Sequence, residues 1–420
     1  MVKPGYKQTE VGVLPEDWAI KKLINLSDGG MQNGTFYEGS RKGTGVYFLN
    51  VGNLYQAAPI IPQTLGKFDA SKDEIDRFRV KNGDLFFTRS SIVPSGIAYC
   101  NWYKDSGDNT TVFDSHVVRF KTDTDQVNPM YLYLQCVSQE SRKYFISNAK
   151  VATMTTIDQA QIGNCLIPVP SLTEQKNIAE AISDADRIIR LLEKLIIKKK
   201  AIKQGAMQEL LTGKRRLPGF SGEWSKCKLG SLGVFLKGTG ISRNDSNSGN
   251  LPAVRYGELY TKHQNYVNSY FSHISKEVAS NAQRIYRGDI LFAASGETKE
   301  DIGKCSAIIY ETAAYAGGDI LIFRPTTQLD PVFMGTLLNM ADARKQRAAQ
   351  GQGDAVVHIH ADALSSISII IPNIEEQKAI AEILIGMDKE IELLKRKLEK
   401  YRQVKQGMMQ QLLTGKIRLM

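Results

Sequence analysis

The sequence predicts an α+β chain that carries one plan twice, each copy an irregular strand-rich module followed by a long heptad helix. Three observations predict it. First, Glu174-Gln175-Lys176 opens a charged helical pattern that closes on Leu210-Leu211-Thr212-Gly213-Lys214, and Glu376-Gln377-Lys378 opens a pattern that closes on Leu412-Leu413-Thr414-Gly415-Lys416. Both ends lie 202 positions apart (376 − 174 and 412 − 210), and roughly half of the aligned residues are identical, far more than shared helix composition produces. Second, upstream anchors recur 205 positions apart (257 − 52): Gly52-Asn53-Leu54-Tyr55 with Gly257-Glu258-Leu259-Tyr260, and Gly83-Asp84-Leu85 with Gly288-Asp289-Ile290. Third, short β-branched or aromatic runs bounded by turn residues dominate both upstream segments.

In the first module Leu14-Pro15-Glu16-Asp17-Trp18 reads as a turn that enters Ile20-Lys21-Lys22-Leu23, a short strand or helical start. Strands are expected at Val46–Val51, Asp84–Thr88 and His116–Phe120, joined by Gly- and Ser-rich loops. After Pro129 the spacing turns helical, and Pro168 and Pro170 end the segment. The second module repeats this order: Gly222-Glu223-Trp224 answers Glu16-Asp17-Trp18, Leu321–Arg324 answers Val118–Lys121, and Pro331 answers Pro129. Between these anchors the loops differ, as expected of one scaffold put to two targets.

Both helices carry heptads. Ile178, Ile182, Ala185, Ile189, Leu192 and Ile196 step by 4 and 3, as do Ile380, Leu384, Met387, Ile391, Leu394, Leu398 and Tyr401. This is a coiled-coil seam, and two copies in one chain most simply pack on each other. At about 1.5 Å per residue each helix would reach roughly 55 Å and serve as a spacer. A second apolar line on the first helix, Ile188, Leu191, Leu195 and Ile202, reads either as part of a broad core stripe or as a docking face for another subunit.

Composition narrows the function classes. The chain is 42% hydrophobic and 23% charged, ordinary globular usage rather than disorder. A net charge of +10 favours an anionic partner, nucleic acid before membrane. Five cysteines with no CxxC spacing predict reduced thiols and no zinc site. The N-terminal stretch lacks a signal-peptide core, and the apolar run Ile367–Ile371 is far too short to span a bilayer, so a cytoplasmic location is expected.

Three near-matches to catalytic motifs have plainer accounts. Asn128-Pro129-Met130-Tyr131 resembles the amine-gripping motif of amino-methyltransferases, but Asx-Pro also starts a helix, and no Gly-rich cofactor loop follows a strand. Asp289 with Glu297-Thr298-Lys299 imitates a metal nuclease spacing, yet the first module has only Arg89-Ser90-Ser91 there. His358 and His360 lack a third ligand and fit alternate strand positions. No catalytic and no metal-binding residue is therefore expected.

Recognition remains. The divergent loops carry Arg41, Lys42, Arg89, Ser90 and Ser91 in the first module, and Lys237, Thr239, Arg243, Asn244, Glu297 and Lys299 in the second. Arg and Lys bridge guanine O6 and N7, and Asn pairs with adenine N6 and N7. Lys198, Lys199, Lys200 and Lys203 near the end of the first helix are candidates for phosphate contact or a solvated face.

Taken together, the pattern resembles the DNA-specificity subunits of type I restriction-modification systems. The resemblance rests on Lys7–Gly12 through Leu14–Trp18, on Gly-Asp-Leu/Ile before an apolar strand in both modules, and on Ile167-Pro168-Val169-Pro170-Ser171-Leu172-Thr173-Glu174-Gln175-Lys176 with Ile371-Pro372-Asn373-Ile374-Glu375-Glu376-Gln377-Lys378. It covers essentially the whole chain. The second junction has one proline where the first has two. The resemblance implies target-recognition domains at 1–170 and 215–372, separated by antiparallel spacer helices at 171–214 and 373–420, with a pseudo-twofold repeat. It implies that each domain reads one half of a bipartite, asymmetric site in double-stranded DNA. It further implies docking of two methyltransferase subunits and of restriction/translocase subunits, which would carry S-adenosylmethionine, ATP and Mg, with no cofactor in this chain. The alternatives are a recognition subunit for a fused methyltransferase–nuclease and a stand-alone DNA-modifying enzyme.

Overall fold

The computed structural model describes all residues except Met1, Val2, Asp108, Asp354 and Ala355; the first two open the first predicted module and lie outside the described residues. The chain divides into two compact units, 1–193 with 396–420, and 194–395. Each division falls inside a long helix, so each unit contains one strand-rich module, the start of one long helix and the end of the other.

In the first unit the chain order is β1 (Ala19–Lys22), β2 (Ser27–Asn33), β3 (Leu85–Thr88), β4 (Ser90–Ser91), β5 (Cys100–Trp102), β6 (Val117–Thr122), α1 (Pro129–Cys136), β7 (Lys150–Val151), β8 (Thr155–Thr156), β9 (Leu166–Val169) and the start of α2 (Leu172–Leu210), with smaller elements between. The main antiparallel sheet has the order β2-β6-β3-β5. Strand β3 is buried along its whole length. Its residues alternate between two cores: Leu85 and Phe87 join Trp18, Tyr131, Ile178 and Leu412, whereas Phe86 joins Leu49, Tyr103 and Phe113. A strand covered on both faces reads as a continuous apolar run, which is why the Leu-Phe-Phe motif shows no polar alternation.

The second unit repeats the topology with β10 (Ser225–Lys228), β11 (Gly233–Lys237), β12 (Ile290–Ala293), β13 (Ser295–Gly296), β14 (Cys305–Ala307), β15 (Ile320–Pro325), α3 (Pro331–Leu338), β16 (Val357–His358), β17 (Ser368–Ile371) and the start of α4 (Ile374–Leu412). Its main sheet has the order β11-β15-β12-β14. Ile290 and Phe292 face the core that contains Leu210 and Ile380, and Leu291 and Ala293 face the other. The proline-bearing strand β9 pairs with β1, and β17 pairs with β10, so each module closes on its own entry strand. The entry at Ile20 is thus a strand, followed by a 3-10 turn at Leu23–Leu26.

The motif-like residues have capping and turn roles. The Asn128 side chain accepts from the Tyr131 N–H and Asp330 accepts from Phe333, each with proline at the first helical turn. Asp84 and Asp289 accept from the backbone N–H three residues upstream, of Lys81 and Tyr286. His358 lies on β16, but His360 is the residue preceding a short helix rather than a strand position. Among the described residues no group of three or more His, Cys, Asp or Glu is placed to hold a metal. No described helix is long and apolar enough to cross a membrane.

The heptad residues form a buried seam within each unit. Ile178, Ile182, Ala185, Leu192 and Ile196 are buried, as are Ile380, Leu384, Ile391 and Leu398, while Ile189, Met387, Leu394 and Tyr401 are half-buried. In the first unit Asp186 meets Lys405 at 2.6 Å and Glu193 meets Arg402 at 2.7 Å. In the second, Lys199 meets Glu390 at 2.7 Å and Lys203 meets Asp388. As numbers rise along α2 they fall along α4, so within each unit the paired segments run antiparallel.

The Glu-Gln motif at each helix start explains why helix ends and modules are inseparable. Glu174, almost fully buried, accepts from the Trp18 indole at 3.1 Å and from Arg418 at 2.6 and 2.8 Å. Glu376 accepts from the Trp224 indole at 3.3 Å and from Arg216 twice at 2.7 Å. The guanidinium carbons of Arg418 and Arg216 both stand 5.8 Å from the centre of their tryptophan ring. Each carboxylate lies in a first helical turn, where the helix dipole also favours negative charge. The neighbouring glutamines staple the next helix: Gln175 accepts from Asn128 N–H and donates to Pro170 O, and Gln377 accepts from Asp330 N–H and donates to Pro372 O. Gly213 and Gly415 end the long helices at φ +69° and +66°, the left-handed position that favours glycine. A Cβ at Gly415 would stand 2.5 Å from Pro15 Cδ, so the Thr-Gly-Lys ending is also a packing requirement.

Replacing Arg418 by Ala leaves the Glu174 carboxylate buried against the indole alone, and unfolding by denaturant should register a loss of about 3 kcal/mol. Arg216→Ala should do the same for the second unit. A different signature is expected at Asp84, which burial raises to about 6 against the pull of Arg119 at 3.9 Å. Because the folded-state value lies above the unfolded one, its stabilising contribution is complete below about pH 4 and is lost as pH rises through about 6. Asp84→Asn should therefore remove a decline on the order of 2–3 kcal/mol over that window, read from hydrogen exchange of the β3 amides at pH 4 and pH 7.

Candidate nucleic-acid interface

The loop following the central strand of each module is held by one arginine and one tyrosine that donate to its carbonyls. In the first module it runs from Arg89 to Ile97; in the second it runs from Ala294 to Ile302, 205 positions on (302 − 97). Its first residues form a strand, β4 or β13, which pairs with β8 or β16 respectively. Arg142 donates to the carbonyls of Ala98 at 2.7 Å, Ile97 at 2.6 Å and Ser95 at 2.9 Å. In the second module the corresponding helix (Ala341–Gln350, 202 positions after Gln139–Ser147 at its N-cap, 340 − 138) supplies Arg347 from the place that Phe145 holds in the first; it is buried and donates to the carbonyls of Ile302, at 3.2 Å, and Leu338. Burial pulls both guanidinium groups below the ordinary arginine value, yet both keep their charge and satisfy main-chain oxygens. The anchor tyrosines complete the clamp: the Tyr55 hydroxyl reaches Gly96 O at 3.4 Å, and that of Tyr260 reaches Ser295 O at 3.0 Å and Asp301 O at 3.3 Å.

What the clamp presents differs between modules. The first tip is Ile92-Val93-Pro94-Ser95, with Ile92 86% and Val93 54% exposed. The second is Glu297-Thr298-Lys299-Glu300, all exposed. Asp289 is buried and held by Arg324 at 2.7 and 2.9 Å. The Asp289 and Glu297 carboxylates thus occupy different settings, one in a buried turn and one on an exposed tip.

Beside the first tip lies an open cleft of about 470 Å³. Arg89 and Ser90 line it together with Asn33, His116, Lys150 and Gln159. Gln159 donates to Asn33 Oδ1 at 2.6 Å, and His116 Nδ1 stands 2.8 Å from Asp114. Asn33 ends β2 opposite Val118, and Lys237 ends β11 opposite Leu321, so they hold matching positions in the two modules. Asn33, His116, Lys150 and Gln159 carry no local motif; they converge only through the sheet. Arg142 and Arg347 carry no repeat signal either, since the offset in that segment is 202 and aligns Arg347 with Phe145 (347 − 145).

The remaining sequence candidates have varied settings. Arg41 is engaged by Glu74, by Asp69 O and by the Phe68 ring, and its guanidinium, with Thr35, pulls the Glu74 carboxyl down to about 2. Lys42 is exposed, and Ser91 accepts from Val93 N–H. Thr239 donates to Asn281 O, while Arg243 and Asn244 are exposed at a short turn. Lys198 and Lys200 are exposed, whereas Lys199 and Lys203 are spent on ion pairs with α4. On α2, Leu191 is 59% exposed; Leu195 and Ile202 are also exposed, and Ile188 is half-buried.

Comparison with known proteins gives a consistent picture. The profile of the type I restriction modification DNA specificity domain matches residues 15–200 and again 221–402. A putative type I restriction enzyme MjaX specificity subunit of Methanocaldococcus jannaschii is 24% identical over 432 residues, covering 99% of this chain and 97% of the relative. The MjaVIII specificity subunit of the same organism is 26% identical over 330 residues, covering 73% of this chain and 75% of the relative. The crystal structure of a type I restriction-modification S subunit from M. genitalium superposes with a TM-score of 0.58 at 14% identity, over 94% of this chain and 96% of that one. With the specificity domain matched twice across most of its length, the chain belongs to the DNA-specificity subunits of type I restriction-modification systems.

Proposed function

We propose that this subunit reads a bipartite, asymmetric site in double-stranded DNA, one half through each module, and supplies that specificity to enzymes it does not itself contain. The observation that carries the reading is the pair of equivalent loops, each pinned by an arginine and a tyrosine but with unlike tips, because one frame with different tips suits two different half-sites. The positive charge supplies the sequence-independent phosphate attraction. Exposed leucine and isoleucine side chains on α2, at Leu191, Leu195 and Ile202, are the surface we assign to partner subunits. Those partners are two methyltransferase subunits and, through them, restriction/translocase subunits. S-adenosylmethionine, ATP and Mg belong to the partners in this reading, and the chain contributes no catalytic group. The paired α2 and α4 set the number of unread base pairs between the halves.

Exchanging the segment 27–171 for that of another specificity subunit should change one half of the methylated genomic motif and leave the other intact. A methylome in which both halves change, or neither, would sink the proposal. At the level of single residues, Arg89→Ala should weaken binding across sequences and reduce the salt slope by about 1, with no change in melting temperature. Arg41→Ala should instead lower the melting temperature, because Glu74 loses its main partner.

A further inference from the structure

The exposed apolar tip of the first module is not explained by the clamp beneath it. Ile92 and Val93 project from a loop whose base is pinned by Arg142 and Tyr55. Strand β8 pairs Thr155 with Ser91, and continuing that register places Met154, itself 46% exposed, opposite Ile92. Val151 on β7, paired to Thr155, is 68% exposed. A rigidly held ribbon with apolar side chains at its end is a contact surface rather than a loose loop.

Two observations choose its occupant. Arg89 and Lys150, both exposed and neither in an ion pair among the described residues, line the cleft at the base of the tip. The cleft's one exposed carboxylate, Asp158, caps a helix by accepting from Gln161 N–H, so cations outnumber anions there and the surface suits a polyanion. The same loop position in the second module is Glu297-Thr298-Lys299-Glu300. A partner protein common to both modules would need similar surfaces at equivalent places, whereas DNA half-sites of different sequence need different ones.

We propose that the tip of the first module enters the major groove and reads a thymine through its C5-methyl group, with Ile92 as the contacting side chain. The inference rests on the DNA-reading function proposed above and assigns one specificity-determining residue within it. The tip extends from the β4–β8 edge pair of a three-stranded sheet, a paired edge of the kind the major groove admits, and the thymine methyl is the one apolar feature displayed there. The second module, with carboxylates and an ammonium at its tip, meets hydrogen-bonding base edges instead.

The test uses the full chain assembled with its methyltransferase subunits and duplexes carrying the mapped half-site of the first module. Each thymine in that half-site, on either strand, is replaced in turn by deoxyuridine, which differs only in lacking the methyl. One replacement should weaken wild-type binding about 4- to 10-fold. Ile92→Ala should lose a similar factor on the unmodified duplex and show no further loss on that deoxyuridine duplex. Arg89→Ala should bind more weakly yet keep the thymine–deoxyuridine difference.

Wild-type indifference to every replacement overturns the inference, as does an Ile92→Ala variant that still discriminates. Loss of subunit assembly in Ile92→Ala with DNA selectivity unchanged would make the tip a protein contact and also overturn it. Failure of the underlying reading looks different: exchanging the whole module would then leave the half-site unaltered.

Discussion

Two buried carboxylates hold this structure together. Glu174 and Glu376 sit in the first turns of the long helices with almost no solvent access. A charge in that position is costly unless hydrogen bonds and an opposite charge match it. The indole comes from the module that precedes each helix, but the arginine comes from beyond the end of the other long helix. Each unit is therefore complete only when both helices are present. Residues after the last helix, Arg418 and Leu419 among them, belong to the first unit, and those after α2 belong to the second.

This constraint explains where the repeat is conserved between the two halves of the chain. Trp18 and Trp224, the Glu-Gln pairs, the Leu-Leu-Thr-Gly-Lys endings and the arginines that follow them all meet at these junctions. The clamped loop tips are free of these junctions, so Ile92 and Glu297 can stand at equivalent positions on nearly the same frame without disturbing either core. Separation of a satisfied, buried junction from an exposed tip lets two halves of one chain diverge in what they contact.

Much of the fold was legible because its determinants are local. Heptad spacing marks the helices, Asx-Pro marks the starts of α1 and α3, and Gly-Asp before an apolar run marks a turn into a doubly buried strand. The candidate interface was less legible. Arg41 and Arg89 are indistinguishable as exposed-loop arginines in sequence, yet Glu74 claims the first through a contact 33 residues away (74 − 41). Lys199 looks like its neighbours Lys198 and Lys200 until α4 places Glu390 beside it. Asn33, His116, Lys150 and Gln159 share a cleft only because the sheet brings distant strands together.

The sequence by itself determined the duplicated plan, the helices and their seam, and the family, since each is written in residues close together or at a constant offset. Tertiary structure alone decided which charges are free and which are consumed, and what the two clamped loops offer. An ion pair depends on the partner that the fold delivers, and no periodicity records that choice. The Glu-Gln motif shows both sides: its repetition was plain, but its purpose was visible only once Trp18 and Arg418 stood around one buried carboxylate.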